Sequence, residues 1–179
     1  MYLSRVAQLT YRPNADKAFE VFVDSNWSPS FSISGAQFYF MDCMFYWFSK
    51  TQRSVSLSTA EAEMFGLCLA TKEAIFLRDI LFDLGVLPVG PTPILLDSKS
   101  AVDLSLDPIA FKKTKHIMRA CWFVLDSRAR SVITVSHISG TEMLADILTK
   151  PVSRANFLTL FYAICLKMDS KFNKPSASA

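Results

Sequence analysis

The sequence predicts an α/β domain on a five-stranded mixed sheet, with three antiparallel strands, then alternating helices and strands, and helices on both faces. Three observations predict it. An aromatic, β-rich stretch over residues 18–49 breaks into three runs. A Ser-x-x-Glu capping box at Ser58 then opens a long helical segment. After it, two short apolar runs, 92–97 and 132–138, alternate with helical segments, the pattern of a sheet covered by helices.

In order, residues 18–24 (AFEVFVD) read as a strand ending in a carboxylate. Runs 34–40 and 44–49 follow, with Met41, Asp42 and Cys43 as the hairpin connection. The long helix is capped by Ser58, with Glu61 reaching back, and closes near Leu84, where Gly85 can take the left-handed conformation. Pro88, Pro91 and Pro93 mark a loop. Residues 92–97 (TPILLD) form a short buried strand, again ending in a carboxylate, and 98–106 a short helix stopped before Pro108. A helix through Trp122 to Arg128 leads to a fifth strand at 132–138. A last helical region starts at 143–149, is interrupted by Pro151 and restarts at Ser153. The domain spans 18–166. Residues 1–17 have no assignable character, and 167–179 form a frayed tail.

Composition bounds the function. A chain of 179 residues, 51% hydrophobic and 20% charged, is long enough and apolar enough for one packed core. Fifteen Phe against five Gly favour packed strands and helices over glycine-built turns. A net charge of +3 permits a nucleic-acid partner without requiring one. Cys43, Cys68, Cys121 and Cys165 have no paired C-x-x-C spacing, so they are expected as free, buried thiols in a reducing compartment. Met1 is not followed by a secretory apolar core, and no run approaches the ~20 residues of a membrane helix. An intracellular protein with no membrane partner is therefore expected, in a cytoplasmic particle or the nucleus, with oligomeric state open.

Four acids stand out by position: Asp24 and Asp97 at strand ends, Glu63 in the first turns of the long helix, and Asp146 opening the last helical region. In α/β sheets the carboxyl edge is where ligands collect. Acids crowded there repel one another unless cations or protons neutralise them, and hard oxygen ligands suit Mg²⁺ or Mn²⁺. An Asp after a strand also caps the next helix, so spacing alone leaves a structural role open for Asp24 and Asp97.

The motifs narrow this. Ser58-Thr59-Ala60-Glu61-Ala62-Glu63 resembles the S-T-E-A-E-Y signature of copia-type retrotransposon ribonuclease H, a domain of the Pol polyprotein. Asp24-Ser25-Asn26-Trp27 is similar to D-A-D-W, Trp47 to Gln52 to W-K-S-K-K-Q, and Asp97 to Ala101 to D-N-Q-S-A. Thr114-Lys115-His116-Ile117 reproduces T-K-H-I, and Leu144 to Pro151 reproduces L-A-D-I-L-T-K-P. All six stand in family order between about 22 and 165.

The resemblance implies the ribonuclease H fold and Mg²⁺-dependent cleavage of RNA paired with DNA, two ions taking part and Mn²⁺ an alternative. Asp24, Glu63, Asp97 and Asp146 would be the ligands and catalytic carboxylates. One ion would lower the pKa of the attacking water and the other stabilise the leaving 3′ oxygen. The implied partners are the RNA–DNA hybrid and the reverse transcriptase portion of the parent polyprotein, of which the chain would be a C-terminal fragment or a solitary copy.

Some positions depart from the pattern. Asn26 replaces the second acid of D-A-D-W, 28–32 lack the charged lead-in, and Ala120-Cys121 stand where Tyr-His is usual. Lys112, Lys113, Lys115 and Arg119 form a basic cluster, either a phosphate-tracking handle or a solvated face. His116 could contact a phosphate or begin a helix. His137 could assist product release or be a plain strand-end histidine. Two readings compete with the nuclease: a catalytically inactive hybrid-binding or protein-interaction module of this fold, and an integrase- or resolvase-like relative.

Overall fold

The computed structural model describes Pro13 and residues 18–86, 90–107 and 117–168. The elements run β1 (Glu20–Asn26), β2 (Ile33–Phe40), β3 (Cys43–Thr51), α1 (Thr59–Asp83), β4 (Thr92–Leu96), α2 (Lys99–Leu106), α3 (Met118–Ala129) and β5 (Ile133–His137). Two 3₁₀ turns, Gly140–Glu142 and Leu144–Leu148, lead into α4 (Arg154–Met168). The sheet order is β3-β2-β1-β4-β5, with β1, β2 and β3 antiparallel and β4 parallel to both β1 and β5. This is the mixed sheet expected from the sequence.

Alternation along the strands divides the core. Val21, Val23, Ala36 and Phe38 point to one face and pack with Leu67, Ala70, Ala74, Leu77 and Leu81 of α1, and with Ile117, Cys121 and Val124 at and within α3. The α1 positions recur every three or four residues, the stripe an amphipathic helix turns to a sheet. Phe22 and Tyr39 face the other way and meet Met143, Leu144 and Ala145 of the 3₁₀ segment and Leu160 and Ile164 of α4. Helices therefore cover both faces. Cys43, Cys68 and Cys121 are free and buried, and no helix among the described residues is long and apolar enough to cross a membrane.

The ends of α1 follow local chemistry. Ser58 Oγ accepts from the Glu61 amide at 3.3 Å, and Glu61 Oε2 accepts from the Leu57 amide at 2.7 Å. At the other end Gly85 has φ 74°, while its amide and that of Val86 donate to Phe82 and Leu81, both at 2.9 Å. This closes the helix with two carbonyls satisfied.

Three sequence expectations change in detail. β1 starts at Glu20 and continues two residues past Asp24, because Ser25 and Asn26 pair with Ser34 and Ile33. The hairpin turn is Met41-Asp42, both at positive φ (53° and 63°), and Cys43 already belongs to β3. Asp146 sits in a 3₁₀ turn separate from α4, since Pro151 has no amide to donate and the α-helix begins only at Arg154.

Candidate active site and metal centre

Three of the four acids converge. The parallel register pairs Val21 with Ile94, and three residues further along each chain stand Asp24 and Asp97. One carboxylate oxygen from each of Asp24, Glu63 and Asp97 lies within 4.8 Å of the others. They line an open cleft of about 430 Å³ with Ser25, Asn26, Trp27 and Lys150. Asp146 borders this trio from the 3₁₀ segment, and its Oδ1 is 2.9 Å from Lys150 Nζ.

A buried polar network places Glu63. Gln52, 4% exposed, donates from Nε2 to the Ala62 carbonyl at 2.8 Å and to Ser34 Oγ at 2.7 Å. Ser34 Oγ is 3.0 Å from Ser25 Oγ, and Ser56 Oγ donates to Gln52 Oε1 at 2.9 Å. The first turn of α1 is thereby tied to β1 and β2 one residue before Glu63.

Asp24 is held from the opposite face of the sheet. Thr149, also buried, donates its hydroxyl to Asp24 Oδ2. The 3₁₀ segment comes this close because Gly35, paired with Asp24 across β1 and β2, has no side chain. A Cβ there would meet Leu148 Cβ at 2.7 Å and Thr149 Cγ2 at 2.8 Å.

The electrostatics are those of crowded acids. Burial first, then the charges of Asp24 and Asp97, push the Glu63 carboxyl up to about 9, against the pull of a Ser25 backbone hydrogen bond and Lys150. Its Oε2 is buried with no hydrogen-bond partner. Asp97 is raised by burial and Asp24, and Asp146 by burial, Asp24 and Asp97 although Lys150 opposes. Burial acts to lower the Lys150 ammonium, but Asp146, Asp24 and Asp97 outweigh it and raise it overall. A buried carboxylate oxygen without a donor, beside two further carboxylates, is a set that a hard divalent cation satisfies. The donors present fit such an ion.

The other candidates lie apart. His137 Nε2 donates to the Asp97 carbonyl at 3.1 Å, tying the end of β5 to the residue that follows β4. Lys112, Lys113, Lys115 and His116 lie outside the described residues. Arg119, at the start of α3, lines a second groove of about 680 Å³ with Lys50, Arg53 and Lys72 and the rings of Phe65 and Phe123. Lys72 Nζ stands 5.7 Å from the Phe123 ring centre, while Lys50 pairs with Glu73 at 2.9 Å. Sequence reading missed this groove, because Lys50, Lys72 and Arg119 become neighbours only through the packing of β3, α1 and α3. It also left Gln52, Thr149 and Lys150 without roles; the i,i+4 spacing of Asp146 and Lys150 was the available signal.

No protein-family model matches the chain. It is 38% identical over 129 residues, 70% of its length, to the retrovirus-related Pol polyprotein from transposon TNT 1-94 of Nicotiana tabacum. To the corresponding polyprotein from transposon RE1 of Arabidopsis thaliana it is 32% identical over 111 residues, 62% of its length. The matched portions are only 9% and 8% of those polyproteins. Among solved structures, the N-terminal RNase H domain of a Mycobacterium tuberculosis protein superposes with a TM-score of 0.55 at 15% identity, covering 83% of this chain and 96% of that one. LC11-RNase H1 in complex with an RNA/DNA hybrid gives 0.55 at 14% identity, over 73% and 93%. At such identities the structural likeness speaks for the fold.

Proposed function

As a homologue of copia-type retrotransposon Pol polyproteins with the ribonuclease H fold, the chain is, we propose, a metal-dependent nuclease that hydrolyses the RNA strand of RNA–DNA hybrids. The observation that carries this reading is Glu63, 4% exposed, with Oε2 lacking a partner and the oxygens of Asp24 and Asp97 beside it. A structural acid so deeply buried would have both oxygens hydrogen-bonded. Oε2 of Glu63 is left for a cation.

Asp24, Glu63 and Asp97 would hold a divalent ion, Mg²⁺ or Mn²⁺, with Asp146 at the rim. When bound, such an ion supplies a water of lowered pKa and positive charge for the scissile phosphate. The chain's own groups do the rest. Thr149 fixes the Asp24 carboxylate by donating to it, and the Gln52 network fixes the helical turn that carries Glu63. The carboxylates act as ligands, so no protein nucleophile is needed.

The hybrid's backbone would be gripped at a distance from the acids. Arg53, Lys72 and Arg119 present cations in the second groove, and Phe65 and Phe123 give it an apolar floor. Lys112, Lys113, Lys115 and His116 precede Arg119 in sequence and extend the same proposal. Support for a hybrid substrate comes from the RNA/DNA hybrid bound to LC11-RNase H1, a protein of the same fold. Because the relatives are Pol polyproteins, the reverse transcriptase portion of such a polyprotein is the proposed partner.

The test is a substrate panel with Mg²⁺: end-labelled RNA–DNA hybrid, duplex RNA and duplex DNA. Cleavage confined to the RNA of the hybrid is expected. Preferential cutting of duplex DNA would point instead to an integrase- or resolvase-like activity, and tight hybrid binding without cleavage to an inactive module.

A further inference from the structure

The cleft that holds Asp24, Glu63 and Asp97 is lined by the indole of Trp27, 39% exposed. Exposure alone does not single this ring out, since Trp47 on β3 and Trp122 on α3 are 54% and 56% exposed. Its place does: it stands three residues after Asp24, in the wall of the acidic cleft. Building on the hybrid-nuclease reading above, we propose that Trp27 is a substrate contact, its ring packed against a ribose of the RNA strand at the point of cleavage.

The indole is held in place from behind. Its Nε1–H donates to the Ser56 carbonyl at 2.9 Å. Ser56 is buried, and its hydroxyl donates to Gln52 Oε1 at 2.9 Å. Gln52 Nε2 donates in turn to the Ala62 carbonyl, one residue before Glu63. The loop that follows Trp27 is closed as well: the Ser28 amide donates to Ser32 Oγ at 3.2 Å, and the Gln52 amide to the Ser32 carbonyl at 2.8 Å. The same polar network therefore sets the ring and the glutamate. An aromatic side chain fixed before the substrate arrives has little entropy left to lose on binding.

The surroundings say what the ring meets. Residues 25–32 and 54–60, which flank it, contain no charged side chain, so this wall has no ion pair to offer a phosphate. Base faces inside a paired hybrid are covered by their stacked neighbours. The sugar edge of the strand in the cleft is then the surface within reach, and in RNA that edge carries the ribose hydroxyls along an open minor groove. An indole whose nitrogen is already bonded presents an apolar face to it.

The experiment is steady-state cleavage of an RNA–DNA hybrid by the full chain with Mg²⁺, at several salt concentrations, for wild type, Trp27→Phe and Trp27→Ala. Circular dichroism confirms folding. Trp27→Ala is expected to raise KM roughly tenfold, the loss for about 50 Å² of apolar contact, with kcat within about twofold and the salt slope unchanged. Trp27→Phe keeps a ring but not the donor, and should bring KM back to within about threefold of wild type. Equal losses in the two variants, or a fall in kcat in place of a rise in KM, would make Trp27 a brace for Ser56 and overturn the contact. An unchanged KM in Trp27→Ala would overturn it too.

Fluorescence separates this proposal from the nuclease reading. Trp47→Phe and Trp122→Phe leave Trp27 as the sole tryptophan, and Asp97→Asn stops hydrolysis. Emission should change to saturation as hybrid is added, in step with the anisotropy of a labelled hybrid. Hybrid that binds without altering the emission would overturn the contact and leave the nuclease reading standing. An emission change, beside a wild-type chain that cuts no hybrid, would keep the contact and overturn the nuclease reading. Absence of hybrid binding would overturn both.

Discussion

Glu61 and Glu63 stand two residues apart on α1 and are equally buried, 3% and 4% exposed, yet their surroundings are opposite. Two residues turn a helix by about 200°, so the pair faces different parts of the molecule. Glu61 turns to the helix start, where its carboxylate accepts from the Leu57 amide and completes the cap with Ser58. Glu63 turns to the carboxyl edge of β1 and β4, where it meets Asp24 and Asp97 and one of its oxygens has no donor. Burial alone does not distinguish a structural acid from a site acid; the partners do. The first turn of α1 is complete in itself, while the cleft beside it is the proposed cation site.

The largest effect expected from breaking this contrast is on hydrolysis by Glu63→Gln. The amide keeps the shape but gives up the charge, so metal-dependent cleavage should fall by at least about a hundredfold. Asp97→Asn should do the same, with circular dichroism unchanged in both. Wild-type turnover in either variant would remove that residue from the site.

Next in size is a pH effect on the metal-free protein. The Glu63 carboxyl is raised from 4.5 to about 9 on folding, so between those values the folded state holds a proton that the unfolded state has released. Stability from this group is therefore fully present below about 4.5 and lost as pH rises towards 9. Thermal melts in chelator should show that decline, and Glu63→Gln should flatten it. Equal pH slopes in the two proteins would contradict the buried, unpartnered state of Glu63.

Smaller effects are expected outside the cleft. Neutralising Lys72 and Arg119 together should lower the log–log salt dependence of hybrid binding by roughly one unit per lost phosphate contact. An unchanged slope would make the groove a solvated surface. The smallest effect is expected of Glu61→Gln. It should keep most activity and cost no more than about 1 kcal/mol in urea unfolding, because the amide oxygen can still accept from Leu57. A collapse of activity with Glu61→Gln, and none with Glu63→Gln, would show that the faces of α1 are assigned the wrong way round.

Much of this contrast was legible in the sequence. Ser58, Glu61 and Gly85 are local signals, and each sits where its own backbone chemistry requires. The order of elements and the mixed sheet could be read from the change of period after Ser58, since a meander followed by alternating strands and helices gives a sheet with helices on its faces. Less legible were features made by distant segments. Met41-Asp42 forms a tight turn at positive φ without a glycine to announce it. Lys50, Lys72 and Arg119 share a groove only because β3, α1 and α3 pack together. Thr149 meets Asp24 across 125 positions through the gap left by Gly35, a contact that no periodicity encodes. The sequence predicts the start of a helix at Asp146 because 3₁₀ and α segments share their short-range spacing; Pro151 is what keeps them apart.

The most direct test of the central claim is a time course on a hybrid with labelled RNA, run with Mg²⁺, with Mg²⁺ plus excess chelator, and with Mg²⁺ and Glu63→Gln. The account predicts RNA cleavage in the first reaction alone, with the DNA strand intact. Cleavage that survives chelation, or that proceeds at the wild-type rate without the Glu63 carboxylate, would contradict it.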